Sequence, residues 1–426
     1  MTDAPDRIAA PPAYRALLRV FGRIGLLSFG GPAAQIALMH RELVEERDWL
    51  DEPDFLRALS LCMLLPGPEA MQLATYAGWR LRGVPGGLIA GGLFVLPGAL
   101  LIAVLVALYA AFGALPPVQA AFLGIKAAVI LIVVQALRGL TRKALTSPGA
   151  RILAGLSFAA IFVLNLPFPL IVAGAALWGW VAARGEAISD TPQPSVPAEK
   201  PLRTALGWLV LWLGPLAALT AFGAPLLAQI GWFFAWLAVI SFGGAYAVLA
   251  YMTQTVVDAH GWISTAQMID ALGLAETTPG PLILVTQFVA MLTGQLQGGP
   301  VLALAAGAVA LWATFVPCFL WIFLAAPYMD RLATRPRLSA ALGGVTAAVA
   351  GVILNLSVWF ALHVLFGRVT TRDLGPASLP WPELATLDPV ALGLVALAAA
   401  LILRARRGIG VTLVVMAGAG LLVGTL

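Results

Sequence analysis

This 426-residue chain contains two Pro-Gly-Pro tripeptides, at 66–68 and 279–281. Their residue types and spacing could form a ligand site. Each follows a predicted helix start by about twelve residues, or ~18 Å of helix. The first start is at 51–53, and the second is a capping box between Ser264 and Gln267. Paired prolines remove backbone donors, so each helix must open there. The next helix then presents free N–H groups and a positive dipole end, which suit a small anion.

A second motif, Ser-Phe-Gly-Gly, occurs at 28–31 and 241–244. Its glycines could open the backbone and, with the serines, supply N–H and O–H groups to an anion. Close helix packing is the alternative for this motif, and a plain packing kink is the alternative for Pro-Gly-Pro. The predicted anion-binding residues are Ser28, Gly30, Gly31, Pro66, Gly67, Pro68, Gln72, Lys126, Ser241, Gly243, Gly244, Thr277, Thr278, Pro279, Gly280, Pro281 and Gln287.

Charged residues inside apolar segments are costly and usually functional. Glu69 begins the helix after the first Pro-Gly-Pro, where it either stabilises the helix dipole or takes up a proton in competition with the anion. Glu276 is the second candidate for proton coupling. Lys126 either contacts the anion or pairs with one of these acids, and Arg23 is predicted to snorkel to the inner interface.

The elements that position these residues are predicted to be membrane helices. The chain is 61% hydrophobic and 11% charged, with a mean hydropathy of +0.94, which excludes a cytosolic enzyme and a nucleic-acid-binding protein. We predict an all-α polytopic membrane protein with about thirteen spans. The predicted spans are 21–39, 55–80, 86–112, 116–137, 151–166, 167–183, 205–222, 230–252, 268–294, 299–327, 337–358, 388–403 and 408–426.

The basic residues predict the sidedness of these spans. No signal peptide is visible, so the N-terminus is expected in the cytoplasm. Eighteen Lys and Arg residues then fall in inner segments and five in outer ones, namely Arg41, Arg47, Arg57, Arg368 and Arg372. This bias satisfies the positive-inside rule. The charged, amphipathic segment 40–57 is expected to lie on the outer interface, with Trp49 as its interfacial residue.

The two motifs belong to an internal repeat. Residues 28–68 and 241–281 align without a gap at an offset of 213, with 15 of 41 positions identical. Seven predicted spans separate equivalent positions, so the two halves are expected to have inverted topology, as in many secondary transporters. We predict a first repeat at 1–183, a Pro-rich cytoplasmic linker at 184–204, an extra inverting span at 205–229 and a second repeat at 230–426.

Other chemistries find little support in the sequence. The two cysteines give no disulfide framework, the three histidines show no metal-ligand spacing, and no Walker A motif is present. We therefore expect no metal, no cofactor and no enzyme activity. A passive channel remains an alternative to a transporter. A membrane-embedded enzyme acting on lipids is a further alternative, disfavoured because histidines and acids are sparse.

At SFGGPAAQIALMHRE, CMLLPGPEAMQLATYAGW, SFGGAYAVLAYMTQ and AETTPGPLILVTQF the chain closely resembles the chromate transporter family, in its long two-domain form. The resemblance implies a bacterial cytoplasmic-membrane protein that exports chromate, driven by the proton gradient, and confers chromate resistance. Many relatives have His at the position of Gln35 and Asn at that of Glu69. Sulfate, which has the same shape and charge, is the rival substrate, and a homodimer is left open. The family motif residues here are Ser28, Phe29, Gly30, Gly31, Pro32, Pro66, Gly67, Pro68, Gln72, Ser241, Phe242, Gly243, Gly244, Thr278, Pro279, Gly280 and Pro281.

Overall fold

Helices dominate the computed structural model, which describes residues 11–183, 201–242, 245–329, 336–375, 377–405 and 407–424. The α-helices are α1 (Tyr14–Leu27), α2 (Gly31–His40), α3 (Glu52–Leu64), α4 (Glu69–Phe112), α5 (Pro116–Ala144), α6 (Pro148–Phe162), α7 (Phe168–Ala182), α8 (Pro201–Ala221), α9 (Pro225–Ile240), α10 (Ala245–Thr253), α11 (Thr265–Glu276), α12 (Val285–Ala325), α13 (Pro336–Leu365), α14 (Pro389–Ala399) and α15 (Ile409–Gly424). The prediction of an all-α polytopic membrane protein is confirmed.

Short segments complete the chain. Strands β1 (Val369–Leu374) and β2 (Ala377–Pro382) form an antiparallel hairpin that the sequence analysis did not predict. The hairpin packs on the connection between α6 and α7, where the Ser378 N–H donates to the Val163 carbonyl at 2.8 Å. Other short turns are π-helical at Arg41–Glu45, Gln254–Ala259 and Ala400–Arg404, and 3-10 helical at Leu282–Leu284, Ala326–Tyr328 and Leu384–Thr386.

Helices α3 and α11 begin where the capping residues predict. The Asp51 carboxylate accepts a hydrogen bond from the Asp54 N–H at 2.6 Å. At α11 the Ser264 hydroxyl accepts from the Gln267 N–H, and the Gln267 side chain accepts from the Ser264 N–H at 2.9 Å. These bonds satisfy amide donors that have no partner within the helix.

Both predicted Pro-Gly-Pro breaks are present. Helix α3 ends at Leu64 and α4 begins at Glu69, while α11 ends at Glu276 and α12 begins at Val285 after a 3-10 turn. The chain also breaks at the first Ser-Phe-Gly-Gly, between α1 and α2, where opening of the backbone was one of two alternatives.

The predicted spans 21–39 and 55–80 are wrong as single crossings, because each folds back on itself. Arg23 Nη1 lies 3.4 Å from Glu42 Oε1, whereas a continuous helix would separate these residues by ~28 Å. Arg80 Nε lies 3.3 Å from Asp54 Oδ2, against ~39 Å for a continuous helix. Arg23 therefore pairs with Glu42, and the chain reverses at each break.

The predicted spans 230–252 and 268–294 fold back in the same way. The ring of Phe233, on α9, lies 6.0 Å from His260 and 5.7 Å from Trp262, both of which follow α10. Tyr109 contacts both Asp270 and Phe288, which are 18 residues apart. Hydropathy detects apolar composition, which is the same for one full span and for two half-helices. The described helices therefore do not confirm thirteen spans.

Segment 40–57 was predicted to lie on the side of the membrane opposite the N-terminus. This is also wrong, because the segment lies at the same end of the bundle as the first described residues. The Asp54–Arg80 pair joins this segment to residue 80, at the end of the first part of α4, residues 69–81. The next residues join the same end to the N-terminal segment, because Arg82 Nε donates to the Pro12 carbonyl at 2.8 Å. Segments 11–12, 40–57 and 80–83 therefore lie at one end of the bundle.

Two long helices form the centre of the bundle. Helix α4 reverses at Arg82–Gly83 and α12 at Gly298–Gly299, where Gly83 and Gly299 have φ of +64° and +78°. The second arms, 84–112 and 300–325, pack against α1, α8 and α9. Helix α13 packs on α5, α6 and α7, and α15 packs on α5. The described helices long and apolar enough to cross a membrane are at Glu69–Phe112, Pro116–Ala144, Leu202–Ala221, Leu282–Tyr328 and Arg337–Leu365.

Candidate functional site

The Ser-Phe-Gly-Gly segments interrupt two helices with the same serine conformation. Ser28 has φ −76° and ψ 62°, and Ser241 has φ −78° and ψ 62°. Both serines are buried. Gly30 and Gly31 adopt φ of +88° and +80°, which a side chain would disfavour. The equivalent residues 243–244 lie outside the described residues.

The Pro-Gly-Pro segments repeat this similarity. Gly67 and Gly280 both have positive φ, +118° and +87°. Pro68 precedes the first turn of α4, and Pro281 precedes the 3-10 turn that leads into α12. In both halves a helix N-terminus therefore begins directly after the tripeptide, and its first N–H groups have no intrahelical partner.

Each Pro-Gly-Pro pairs with the Ser-Phe-Gly-Gly of the other half. The Gly67 N–H donates to the Ser241 carbonyl at 2.8 Å, and the Gly280 N–H donates to the Ser28 carbonyl at 2.9 Å. An unpaired amide in an apolar interior costs several kcal/mol, of order 2–7. These reciprocal bonds therefore satisfy the broken backbone and bring together the four interruptions that the sequence analysis identified.

A proline-containing stretch of each long second arm covers the other half's tripeptide. A Cβ at Gly98, next to Pro97, would collide with the Pro279 carbonyl oxygen. A Cβ at Gly67 would lie 3.0 Å from Cys318 Sγ, and Cys318 follows Pro317. Sequence analysis missed these contacts, although a proline followed by a small residue in both arms could have indicated them.

Three buried glutamines support the breaks. Gln72 Nε2 donates to the Pro66 carbonyl at 2.6 Å, and Gln287 Nε2 donates to the Ala99 carbonyl at 2.9 Å. The Oε1 atoms of both have no hydrogen-bond partner within the described part of the chain. Gln35 Nε2 donates to the carbonyls of Ser28 and Gly280, at 3.2 and 2.7 Å, and so joins two of the interruptions.

The hydroxyl groups at the site differ between the halves. Ser28 Oγ donates to the Ile24 carbonyl at 2.5 Å, whereas Ser241 Oγ is buried without a partner among the described residues. Thr277 and Thr278 Oγ1 donate to the carbonyls of Leu274 and Ala275. Each threonine therefore caps the end of α11, and its hydroxyl oxygen can still accept a further hydrogen bond.

The two predicted proton-coupling acids lie at the ends of half-helices. Glu69 is in the first turn of α4 and is partly exposed. Glu276 is the last residue of α11 and is 9% exposed; its Oε1 accepts from the Tyr246 hydroxyl at 2.8 Å. A carboxylate at a helix C-terminus meets the negative end of the dipole, so Glu276 lies where its charge is least favoured.

Lys126 pairs with an acid that the sequence analysis did not consider. Its Nζ lies 2.9 Å from Asp270 Oδ1, and Tyr109 Oη donates to Asp270 Oδ2 at 2.7 Å. Of the two alternatives for Lys126, pairing with Glu69 or Glu276 is therefore wrong, and contact with the anion stays a prediction. A single Asp inside a predicted span was the signal that could have identified this partner.

Two cavities approach these groups from different sides of α5. The first, of about 610 Å³, is called here the Glu276 cavity; it is lined by Phe29, Gly30, Ala34, Ile125, Glu276, Thr277, Gly408, Ile409, Gly410, Leu413, Val414 and Ala417. The second, of about 430 Å³, is the Lys126 cavity; it is lined by Gln119, Ala120, Leu123, Lys126, Asp388, Val390, Gly420, Val423 and Gly424. Consecutive residues of α5, Ile125 and Lys126, therefore face the two cavities. Within the described ranges, no three His, Cys, Asp or Glu residues are grouped to hold a metal ion.

Comparison with known proteins gives a consistent result over most of the chain. The sequence profile of the family described as "Chromate transporter" matches residues 15–180 and again 228–424. The "Chromate transport protein" of Cupriavidus metallidurans is 33% identical over 372 residues, covering 84% of this chain and 86% of the relative. The protein of the same name from Pseudomonas aeruginosa is 32% identical over 385 residues, covering 88% and 87%.

A shorter relative matches one part of the chain. The "Uncharacterized transporter YwrA" of Bacillus subtilis is 31% identical over 166 residues, which are 38% of this chain and 93% of that protein. No solved structure matches the chain significantly.

Proposed function

The chain belongs to the chromate transporter family, and from this premise we propose that it exports chromate, a tetrahedral divalent oxyanion, across the bacterial cytoplasmic membrane. The protein is a membrane transporter rather than an enzyme, in agreement with the names of its relatives. Export of chromate would give the cell chromate resistance.

The reciprocal pairing of the two Pro-Gly-Pro tripeptides with the two Ser-Phe-Gly-Gly segments is the observation that carries this proposal. It gathers broken backbone and the helix N-termini after Pro68 and Pro281 in one buried region. Half-helix N-termini near the midplane bind anionic substrate groups in secondary transporters. We assign anion binding to this region, with the threonine hydroxyls and the Ser241 hydroxyl, which has no partner among the described residues, as side-chain ligands.

Coupling to the proton gradient is part of the proposal. Glu276 faces one cavity and lies close to the interrupted backbone, so it is placed to exchange a proton with water. Glu69 has the equivalent opportunity at the N-terminus of α4. We propose both as proton-coupling residues.

We also propose that the two halves are inverted repeats, 1–183 and 230–426, joined by the linker 184–204 and the extra span 205–229. The family profile matches twice, and YwrA corresponds to less than half of this chain, which supports a duplicated unit. The nearly identical serine dihedrals, the positive φ of the equivalent glycines and the reversals of α4 and α12 support it further.

Flux of labelled chromate into and out of proteoliposomes, with and without an imposed pH gradient, tests the function. The variants are Gly67→Ala and Gly280→Ala, because both glycines have positive φ and close neighbours. We expect each to lower transport at least tenfold. Gly92→Ala is the control, because that glycine is in helix α4 with no atom within 4 Å of an added Cβ. Normal transport by the Gly67 and Gly280 variants would eliminate the proposed site.

Two further arms of this experiment decide between the alternatives. Competition by sulfate would identify a general transporter of divalent oxyanions, since sulfate has the same shape and charge. Chromate flux that follows its own gradient and ignores the pH gradient would identify an uncoupled channel and would contradict proton coupling.

A further inference from the structure

The ion pair between Lys126 and Asp270 is the least expected feature of the transmembrane region. Asp270 is 2% exposed and Lys126 15%. Replacing a buried ion pair by apolar residues is often neutral or stabilising, because desolvation of the charges offsets their attraction. The pair is therefore difficult to explain by stability alone, and charges inside membrane segments usually serve transport.

The pair also occurs in one half only. At the repeat offset of 213, Asp270 corresponds to Arg57, which lies on α3 and pairs with Asp54 at 3.4 Å. In the weaker alignment of 122–124 with 341–343, Lys126 corresponds to Val345, which is buried. A structural requirement of the repeated fold would be expected in both halves. The single copy points to a step that the two halves do not share.

The surroundings of the pair allow Lys126 to change partner. Lys126 lines the Lys126 cavity together with Gln119 and Asp388, so a small anion can reach its ammonium group. Asp270 is faced by Lys126 from α5 and by the Tyr109 hydroxyl from α4. Tyr109 holds the second carboxylate oxygen, so Asp270 stays in place when Lys126 turns to another partner.

We propose, on the basis of the proposed function, that the Lys126 cavity is a second oxyanion subsite whose occupancy is linked to proton uptake by Asp270. The dianion accepts hydrogen bonds from the Lys126 ammonium in place of Asp270 Oδ1. An unpaired carboxylate beside a dianion is strongly disfavoured, because like charges at short range favour the neutral form. A proton taken up from solvent therefore binds to Oδ1, and Tyr109 continues to donate to Oδ2. One proton enters the subsite with each anion.

Binding of chromate and of sulfate to the purified full-length protein, measured by equilibrium dialysis against pH, tests this linkage. Above neutral pH, where both ions are dianions, wild-type affinity should fall as pH rises, by up to about tenfold per pH unit for one linked proton. Asp270→Asn should lose the share of this pH dependence that belongs to one linked proton, while any contribution of Glu69 and Glu276 stays, and at high pH it should bind at least as tightly as wild type. Lys126→Gln should weaken binding at least tenfold.

Asp388→Asn is the matched control, because it removes a carboxylate from the same cavity. Asp388 caps α14 by accepting from the N–H groups of Val390 and Ala391, and Asn preserves this cap. Its pH dependence should therefore equal that of wild type. If Asp388→Asn reduces the dependence as much as is expected of Asp270→Asn, or if Asp270→Asn retains the full wild-type dependence, the linkage to Asp270 is wrong.

A double variant separates this role from a structural one. If Asp270→Asn alone fails to fold, Asp270→Asn with Lys126→Gln restores a neutral, hydrogen-bonding pair. The subsite proposal expects this protein to bind chromate at least tenfold more weakly and to lose the share of the pH dependence that belongs to Asp270, whereas a purely structural pair expects wild-type binding. Failure of the wild type itself to bind or transport either ion would instead reject the proposed function.

Discussion

At the scale of the residue, the interrupted helices depend on glycines that no other residue replaces without strain. Gly67 and Gly280 combine positive φ with carbonyl or thiol neighbours at 3.0–3.3 Å from an added Cβ. Both were predicted from sequence because the Pro-Gly-Pro motif is local. Asp270 and Tyr109 were not, because Asp270 lies 144 residues from Lys126 and 161 residues from Tyr109 in sequence, and only the folded chain makes these residues neighbours.

His40 is expected to make stability depend on pH. It joins the end of α2 to the start of α3, because Nε2 lies 2.6 Å from Glu52 and Nδ1 lies 3.1 Å from Glu45. The hydrogen bond to Glu52 raises the pKa of His40 above its ordinary value of 6.5, against a smaller opposite effect of burial. The stabilisation is therefore fully present below pH 6.5 and is lost as pH rises through the raised value.

Thermal unfolding of wild type and His40→Gln in detergent across this range measures the effect. The variant should be less stable than wild type at acid pH and should approach it at alkaline pH. Glu52→Gln should lose most of the same acid-side stabilisation. A difference between wild type and His40→Gln that stays constant with pH would contradict this assignment.

At the scale of the element, half-helices replace four of the predicted spans. The sequence located their starts and breaks, because caps and prolines act within a few residues. It did not predict their direction, because the reversal is set by contacts such as Asp54–Arg80 between residues far apart in sequence. The β1–β2 hairpin was missed for a related reason, since prolines at 380 and 382 are unusual in strands.

A double-mutant cycle on Asp54 and Arg80 tests the fold-back of α3 onto α4. Residues in contact show coupling free energies of about 0.5 kcal/mol or more, whereas residues ~39 Å apart on a straight helix would show none. Asp54→Asn and Arg80→Gln should therefore be non-additive in their effects on the free energy of unfolding. Arg82→Gln is the control partner, because Arg82 binds the carbonyls of Pro11 and Pro12 instead, and its effect should add to that of Asp54→Asn.

At the scale of the whole molecule, each half loses two of its six predicted crossings when these segments fold back. The number of crossings in each half therefore stays even. Without the four folded-back segments, we propose that nine of the described helical segments cross the bilayer: 84–112, α5, α6, α7, α8, 300–325, α13, α14 with its π-helical turn, and α15. Each folded-back segment is a helical hairpin. The first pair, α1–α2 and α3 with residues 69–81 of α4, then enters from the side of the N-terminus. The second pair, α9–α10 and α11 with residues 285–297 of α12, enters from the opposite side. Two hairpin pairs entering from opposite faces are what inverted repeats require.

The basic residues in segment 40–57, and their absence from the equivalent segment of the second half, agree with this arrangement. Arg41, Arg47 and Arg57 move from the five outer basic residues of the sequence-based tally to the eighteen inner ones, which leaves two outside and twenty-one inside. The corresponding segment of the second half, 253–270, contains no Lys or Arg. In place of ion pairs, its His260 and Trp262 rings stack on each other and contact the Phe233 ring of α9. The corrected topology therefore satisfies the positive-inside rule better than thirteen spans did.

Cysteine labelling with a membrane-impermeant maleimide distinguishes the two topologies. Thirteen spans place residue 41 outside and residue 259 inside, and the folded-back topology places them the other way round. Both positions are exposed, whereas the native Cys62 and Cys318 are buried and should label little. We therefore expect Ala259→Cys to react in intact cells and Arg41→Cys only in inverted membrane vesicles. Thr371→Cys and Arg142→Cys are the outer and inner controls, because both topologies agree on them. Labelling of Arg41→Cys in intact cells would instead require the first two hairpins to cross the bilayer.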